Sequence, residues 1–187
     1  AESWCSFPGA AQQFIIQRRP IRHSDRRPKL TASGADGTLG ALVPPDDHGS
    51  RVAAGKLPAA QLQAMLTGLR RTDPRVIVGP QLGEDAAAIA FGDQCLVVTT
   101  DPVTFATDRI GWYAVHVNAN DVAAMGATPR WLSIVLLLPE HATTATLVDD
   151  IMRDVHDTAE ALGITVCGGH TEITTGLERP IGVGQLL

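Results

Sequence analysis

The strongest constraint on this chain is the point at which its hydrophobic periodicity begins. From Val52 onward, apolar residues recur at helical or strand spacing. Before it, Pro8, Pro20, Pro28, Pro44 and Pro45 and the Gly34–Gly40 stretch interrupt every regular pattern. Apolar residues are also too sparse there to close a core. Residues 1–51 therefore read as a disordered or non-native leader, and residues 52–187 as one folded domain.

Charge divides at the same boundary. Of 15 basic and 20 acidic residues, the leader holds seven and five, so the folded part carries eight and fifteen and a net charge of −7. The basic cluster Arg18–Lys29 has no interleaved aromatic residue to stack bases, which argues against a nucleic-acid partner. No apolar run approaches the roughly 18 residues of a membrane span, and no signal-peptide pattern opens the chain. Cys5, Cys95 and Cys167 are odd in number and far apart. They point away from a disulfide framework or a C-x-x-C site and toward a cytoplasmic protein.

Within the folded part, Pro58 followed by Leu62, Met65, Leu66 and Leu69 predicts an amphipathic helix ending near Arg70. Ala86–Phe91 and Cys95–Thr100, parted by Gly92-Asp93-Gln94, predict a hairpin. Ile110–Met125 predicts a largely buried helix closed by Gly126. The apolar character of Trp131–Leu138 predicts a strand covered on both faces. A further amphipathic helix follows from Leu147, Ile151, Val155, Thr158 and Leu162, with Gly163 at its end. Ile164–Cys167 and Ile181–Leu187 complete the strands. This order implies an α/β (α+β) domain, a small mixed sheet with helices on one side. The apolar residues of Val183–Leu187 need cover that nothing after them supplies, and the chain opens on Ala1. The chain thus reads as a fragment whose last strand is covered by a missing segment or a partner.

No P-loop, dinucleotide-binding glycine motif, G-x-S-x-G elbow or H-E-x-x-H helix is present. What remains is a set of polar motifs at the ends of elements: Gly83-Glu84-Asp85-Ala86-Ala87, Thr99-Thr100-Asp101-Pro102, Asn118-Ala119-Asn120-Asp121 and Gly168-Gly169-His170-Thr171-Glu172. A single Asp beside a strand is most often a turn or cap residue. The helical pair is different, because Asn118 and Asp121 share a face of an otherwise apolar helix. A carboxylate buried there costs several kcal/mol unless it is paired or coordinates a cation. Mg²⁺ takes oxygen ligands from separate elements and holds phosphates, a role that suits Asp85, Asp101 and Asp121 if the sheet gathers them. Backbone amides at a Gly168-Gly169 turn would then face phosphate oxygens.

In these four motifs, taken in order, the sequence resembles the superfamily of aminoimidazole ribonucleotide synthetase (PurM), the hydrogenase maturation protein HypE, thiamine monophosphate kinase (ThiL) and selenophosphate synthetase. The resemblance runs from about Gly55 to Leu187, and Gly55-Lys56-Leu57-Pro58 and Leu136-Leu137-Leu138-Pro139 bring it nearest to HypE-like, AIR synthase-related proteins. It implies a PurM N-terminal-like, ATP-binding domain that pairs with a second copy through its sheet, and a C-terminal domain that this chain lacks. It also implies ATP and Mg²⁺ as cofactors, with Asp85, Asp101 and Asp121 as metal ligands. Thr100, Asn118, Asn120, Gly168, Gly169 and Thr171 would contact the nucleotide, and Glu84 would assist. His170 stands where relatives carry Asp or Glu. His170 and Glu172 are accordingly candidate catalytic residues, with phosphate contact, proton transfer and an ordinary hydrogen bond all open for His170. Cys167 reads as a small strand residue.

The function implied is phosphoryl transfer from ATP to an amide-like or other acceptor oxygen, with hydrogenase maturation proteins as partners. The selenophosphate reading drops, because its Cys-bearing N-terminal motif is missing. A ThiL-like kinase and a non-catalytic dimerisation or regulatory module of the same fold are the alternatives.

Overall fold

The computed structural model describes residues 52–70, 72–106 and 108–187. The leader expected over residues 1–51, with its basic cluster, lies outside them.

The described residues form three helices and six strands in the order α1 (Ala59–Thr67), β1 (Val76–Val78), β2 (Ala87–Phe91), β3 (Gln94–Val103), α2 (Ile110–Ala124), β4 (Trp131–Pro139), α3 (Ala145–Ala161), β5 (Thr165–Thr174) and β6 (Ile181–Leu186). The strands form one sheet in the order β1-β2-β3-β6-β4-β5. Only β4 and β5 run parallel, joined through α3; the other neighbours are antiparallel. The sheet is therefore mixed, with α2 and α3 on one face, as the element order predicts.

Local chemistry explains the boundaries. The β2–β3 hairpin closes between Phe91 and Gln94, and Gly92 supplies the positive φ, 66°, that its two-residue turn requires. Gly126, at φ 76°, ends α2 with its own amide on Ala123 and that of Ala127 on the Val122 carbonyl. Thr144 caps α3 by accepting from the Leu147 amide.

The core lies between α2, α3 and the sheet. Ile110, Val115 and Val122 of α2 meet Leu132, Leu136 and Leu138 of β4 and Leu186 of β6, all essentially without exposure. Each such side chain contributes about 1.5–3 kcal/mol.

The structure differs from the sequence reading in one strand that was not expected and in three elements that were. β1 was not legible in the sequence; three residues are too few to carry a period. α1 forms where expected but ends at Thr67 and buries none of its residues; Met65 stays 62% exposed. β4 alternates instead of being covered twice, with Leu132, Ile134, Leu136 and Leu138 under the helices and Ser133, Val135 and Leu137 half-buried on the open face. β6 is not an uncovered last strand, for it is inserted between β3 and β4, where α2 covers Gly182, Gly184 and Leu186.

Candidate functional site

The four motifs do not meet at one place. Three of them do. β2 pairs with β3 only as far as Val98, so from Thr99 onward that edge of β3 is free of it. An open cleft of about 380 Å³ lies there, lined by Gly79–Gln81, Glu84–Ala87 and Val98–Asp101. α2 runs beside it and brings Asn118 and Asp121 against β3.

Thr99 links two of the motifs. Its hydroxyl lies 3.1 Å from the Asp85 carbonyl and 3.0 Å from Asp121 Oδ2. A hydroxyl carries one proton, so it donates to one of these oxygens at a time. Burial pushes the Asp121 carboxyl above the usual carboxylate range; the hydrogen bond from Thr99 pulls it down, the neighbouring charges of Asp101 and Asp85 push it up further, and Lys56 lowers it. Carboxylates from the loop before β2, from β3 and from α2 therefore share one field, with Lys56 a cation acting on it. Sequence reasoning missed Thr99 and gave Lys56 no role. The only signal for either was its place inside a quoted motif.

Asn118 differs from its expected role. It is fully buried, and its amide is spent inside the protein. Oδ1 accepts from the Asp101 amide at 2.9 Å, and Nδ2 donates to the Ala114 carbonyl at 2.8 Å and to the Asp101 carbonyl at 3.3 Å. Nothing of this side chain is left to touch a nucleotide. Asn120 is exposed on α2, and Thr100 is exposed on β3 beside Asp101. Glu84 accepts from Gln81 Nε2 at 2.6 Å.

The fourth motif lies elsewhere. Gly168-Gly169 was expected as a turn at a strand exit; instead β5 continues through the whole motif, pairing Gly168 with Ser133 and Glu172 with Leu137. The register shifts between Leu132 and Ser133, and Gly169 takes φ 154° where a Cβ would run into the Ile134 carbonyl. The glycine is thus required by the irregular pairing of β4 and β5. His170 and Glu172 register with Val135 and Leu137, on the open face, whereas Asp101 registers with Gly184 on the helix face. They touch each other, His170 Nε2 to Glu172 Oε2 at 3.4 Å, and are 64% and 55% exposed. Thr171 is exposed on the same strand, and the Cys167 thiol donates to the Leu132 carbonyl at 3.4 Å.

The acidic site offers only hard oxygen donors, the chemistry Mg²⁺ takes. Among the described residues, no three His, Cys, Asp or Glu side chains converge closely enough to enclose a metal. Mg²⁺ keeps several waters and uses one or two carboxylates together with substrate phosphates, and the carboxylates acting on Asp121 are donors of that kind. The residues fit that ion in that mode.

Sequence comparison places the chain in a class. The AIR synthase related protein family, N-terminal domain, matches residues 83–184, and the chain belongs to this family. Among its relatives, a protein of Methanocaldococcus jannaschii named for hydrogenase expression/formation is 30% identical over 119 residues, covering 61% of this chain and 35% of its own. Carbamoyl dehydratase HypE of Rhodobacter capsulatus is 38% identical over 92 residues, covering 49% and 26%. Selenide, water dikinases and a thiamine-monophosphate kinase also match. The crystal structure of tt0281 from Thermus thermophilus shares the fold, with TM-score 0.57 and 24% identity over 69% of this chain and 43% of that one. The chain thus spans about a quarter to two fifths of the length of these proteins. Among the described residues, no helix is long and apolar enough to cross a membrane.

Proposed function

We propose that residues 52–187 are the ATP- and Mg²⁺-binding half of a HypE-like enzyme that activates an amide-like or other acceptor oxygen by phosphoryl transfer. The observation that carries this reading is the gathering of Asp85, Asp101 and Asp121 beside an open cleft, with the field of the other two pressing on Asp121. A bound Mg²⁺ would neutralise phosphate charge and hold the phosphates in line for transfer. The chain's own part is to orient. Asp101 and Asp121 would hold the ion and Asp85 would present a further carboxylate from the β2 side, whereas Thr100, registered with Gln185, lies on the open face. His170 and Glu172, on the other face, take no step at the ion in this reading and act toward whatever meets the open face.

A second copy is the proposed occupant of that face, where Val135, Leu137, Ile181 and Val183 are only half-buried. The acceptor side, and contacts with hydrogenase maturation proteins, belong on this reading to the length of the relatives that the chain does not span. Calorimetry with MgATP tests the core of the proposal. Saturable binding that Asp121→Ala weakens at least about tenfold, roughly 1.4 kcal/mol, supports it; no heat, or equal binding by the variant, sinks it.

A kinase reading is supported by the match to a thiamine-monophosphate kinase. Product analysis on the complete protein separates the two, since one yields a phosphorylated metabolite and the other a dehydrated carboxamide.

A further inference from the structure

Asn118 and Gly184 occupy one another's space. Asn118 is fully buried on α2 and spends both amide protons and its carbonyl oxygen on backbone groups of Ala114 and Asp101. β2 has no residue opposite Asp101, so the Asn118 amide takes the role a neighbouring strand's peptide would play there. To do so it crosses directly over β6. A Cβ on Gly184 would press into Asn118 Nδ2 and stand 2.9 Å from its Cγ and 3.1 Å from the Ala114 carbonyl. Gly182, two residues earlier on the same buried face, is different. A Cβ there would meet Ala114 and Ile110 at 3.6 Å and Leu136 at 3.7 Å, which is ordinary contact. Of the two buried glycines in β6, only Gly184 is dictated by a neighbour.

We propose that Asn118 and Gly184 form an interlocked positioning pair that sets the backbone of β3 at Asp101, and so holds the Asp101 carboxylate toward Asp121. This rests on the reading of the cleft as a cation site. Neither residue touches the cation; both act through Asp101. The pair also ties the site to the register of β6. One residue of slip on β6 would put the side chain of Val183 or Gln185 where Asn118 now lies.

The test uses the full 187-residue chain in four forms: unaltered, Asn118→Ala, Gly184→Ala and Gly182→Ala. Hydrogen exchange at the Asp101 amide reads the positioning without reference to function. It is expected to rise at least about tenfold in Asn118→Ala and Gly184→Ala and to stay unchanged in Gly182→Ala. Mn²⁺ titration, followed by its electron paramagnetic resonance signal at a temperature where each form is folded, should show the same division. Melting of the Asn118→Ala/Gly184→Ala double variant adds a cycle. If the two interlock, Gly184→Ala lowers the melting temperature far less when Asn118 is already Ala.

Unchanged Asp101 exchange in Gly184→Ala, or an additive cycle, overturns the pairing. Faster exchange with unaltered Mn²⁺ affinity overturns the positioning role and leaves a structural lock. Absence of Mn²⁺ binding by the unaltered chain would overturn the cation reading itself, while exchange and the cycle still decide whether the pair sets Asp101.

Discussion

The seam where α2 crosses β3 and β6, and the outer strand β5, carry polar motifs of similar appearance in opposite physical settings. At the seam, Asn118 is buried and every hydrogen-bonding group it has is used. At β5, His170 and Glu172 are more than half exposed and their one mutual contact is 3.4 Å. The difference is one of alternatives. A buried amide that loses its partners has no water to turn to, whereas an exposed pair exchanges one set of hydrogen bonds for another at little cost. A motif's residue types say what chemistry is available; its surroundings decide how tightly geometry is enforced.

The contrast can be broken most severely at Asn118. Asn118→Leu leaves the Asp101 and Ala114 backbone groups without their amide partner, and a loss of about 2–5 kcal/mol is expected in chemical denaturation. A loss below about 1 kcal/mol would mean that the seam relaxes as easily as the edge.

Asp121 makes the seam sensitive to pH. Its carboxyl is held above the ordinary range, chiefly by burial, and Asp101 and Asp85 add to the shift. The folded state therefore holds this proton more tightly than the unfolded chain does. The resulting stability is fully present below the unfolded value and lost as pH rises through the folded one. Asp121→Asn removes that loss. The variant is expected to melt higher than the unaltered chain at pH 7 to 8, with the gap closing toward pH 4. A gap that stays constant with pH would contradict the shared field.

The smallest effects belong to β5. His170→Ala and Glu172→Ala should each change stability by no more than about 0.5 kcal/mol, about 2 °C in melting temperature, because an exposed pair at this distance is worth little. That limit applies to the protein at concentrations too low to pair; a fall that grows with protein concentration is the result expected of the second copy proposed on the open face.

Much of this was legible from the residues. The helical spacing of Leu147, Ile151, Val155 and Thr158 gave α3, and the two-residue turn at Gly92 gave the β2–β3 hairpin, because both patterns are local. The Asn118 and Asp121 pair stood out because polar groups on an apolar helix need partners. What was not legible depends on distant pairing. Gly168-Gly169 looks like a turn in sequence, and only the register against β4 shows that Gly169 fits the Ile134 carbonyl within a continuing strand. The insertion of β6 between β3 and β4 is likewise non-local, so its cover by α2 and the crowding of Gly184 by Asn118 had no sequence signal.

On the proposed reading the cation and nucleotide bind at the seam and not at the edge strand. Mn²⁺ titration in the presence of ATP, read by electron paramagnetic resonance, tells the two places apart when run on the unaltered chain, Asp121→Asn and His170→Ala. Saturable binding is expected, weakened at least about tenfold by Asp121→Asn and left unchanged by His170→Ala. Binding lost in His170→Ala and retained in Asp121→Asn would contradict that reading.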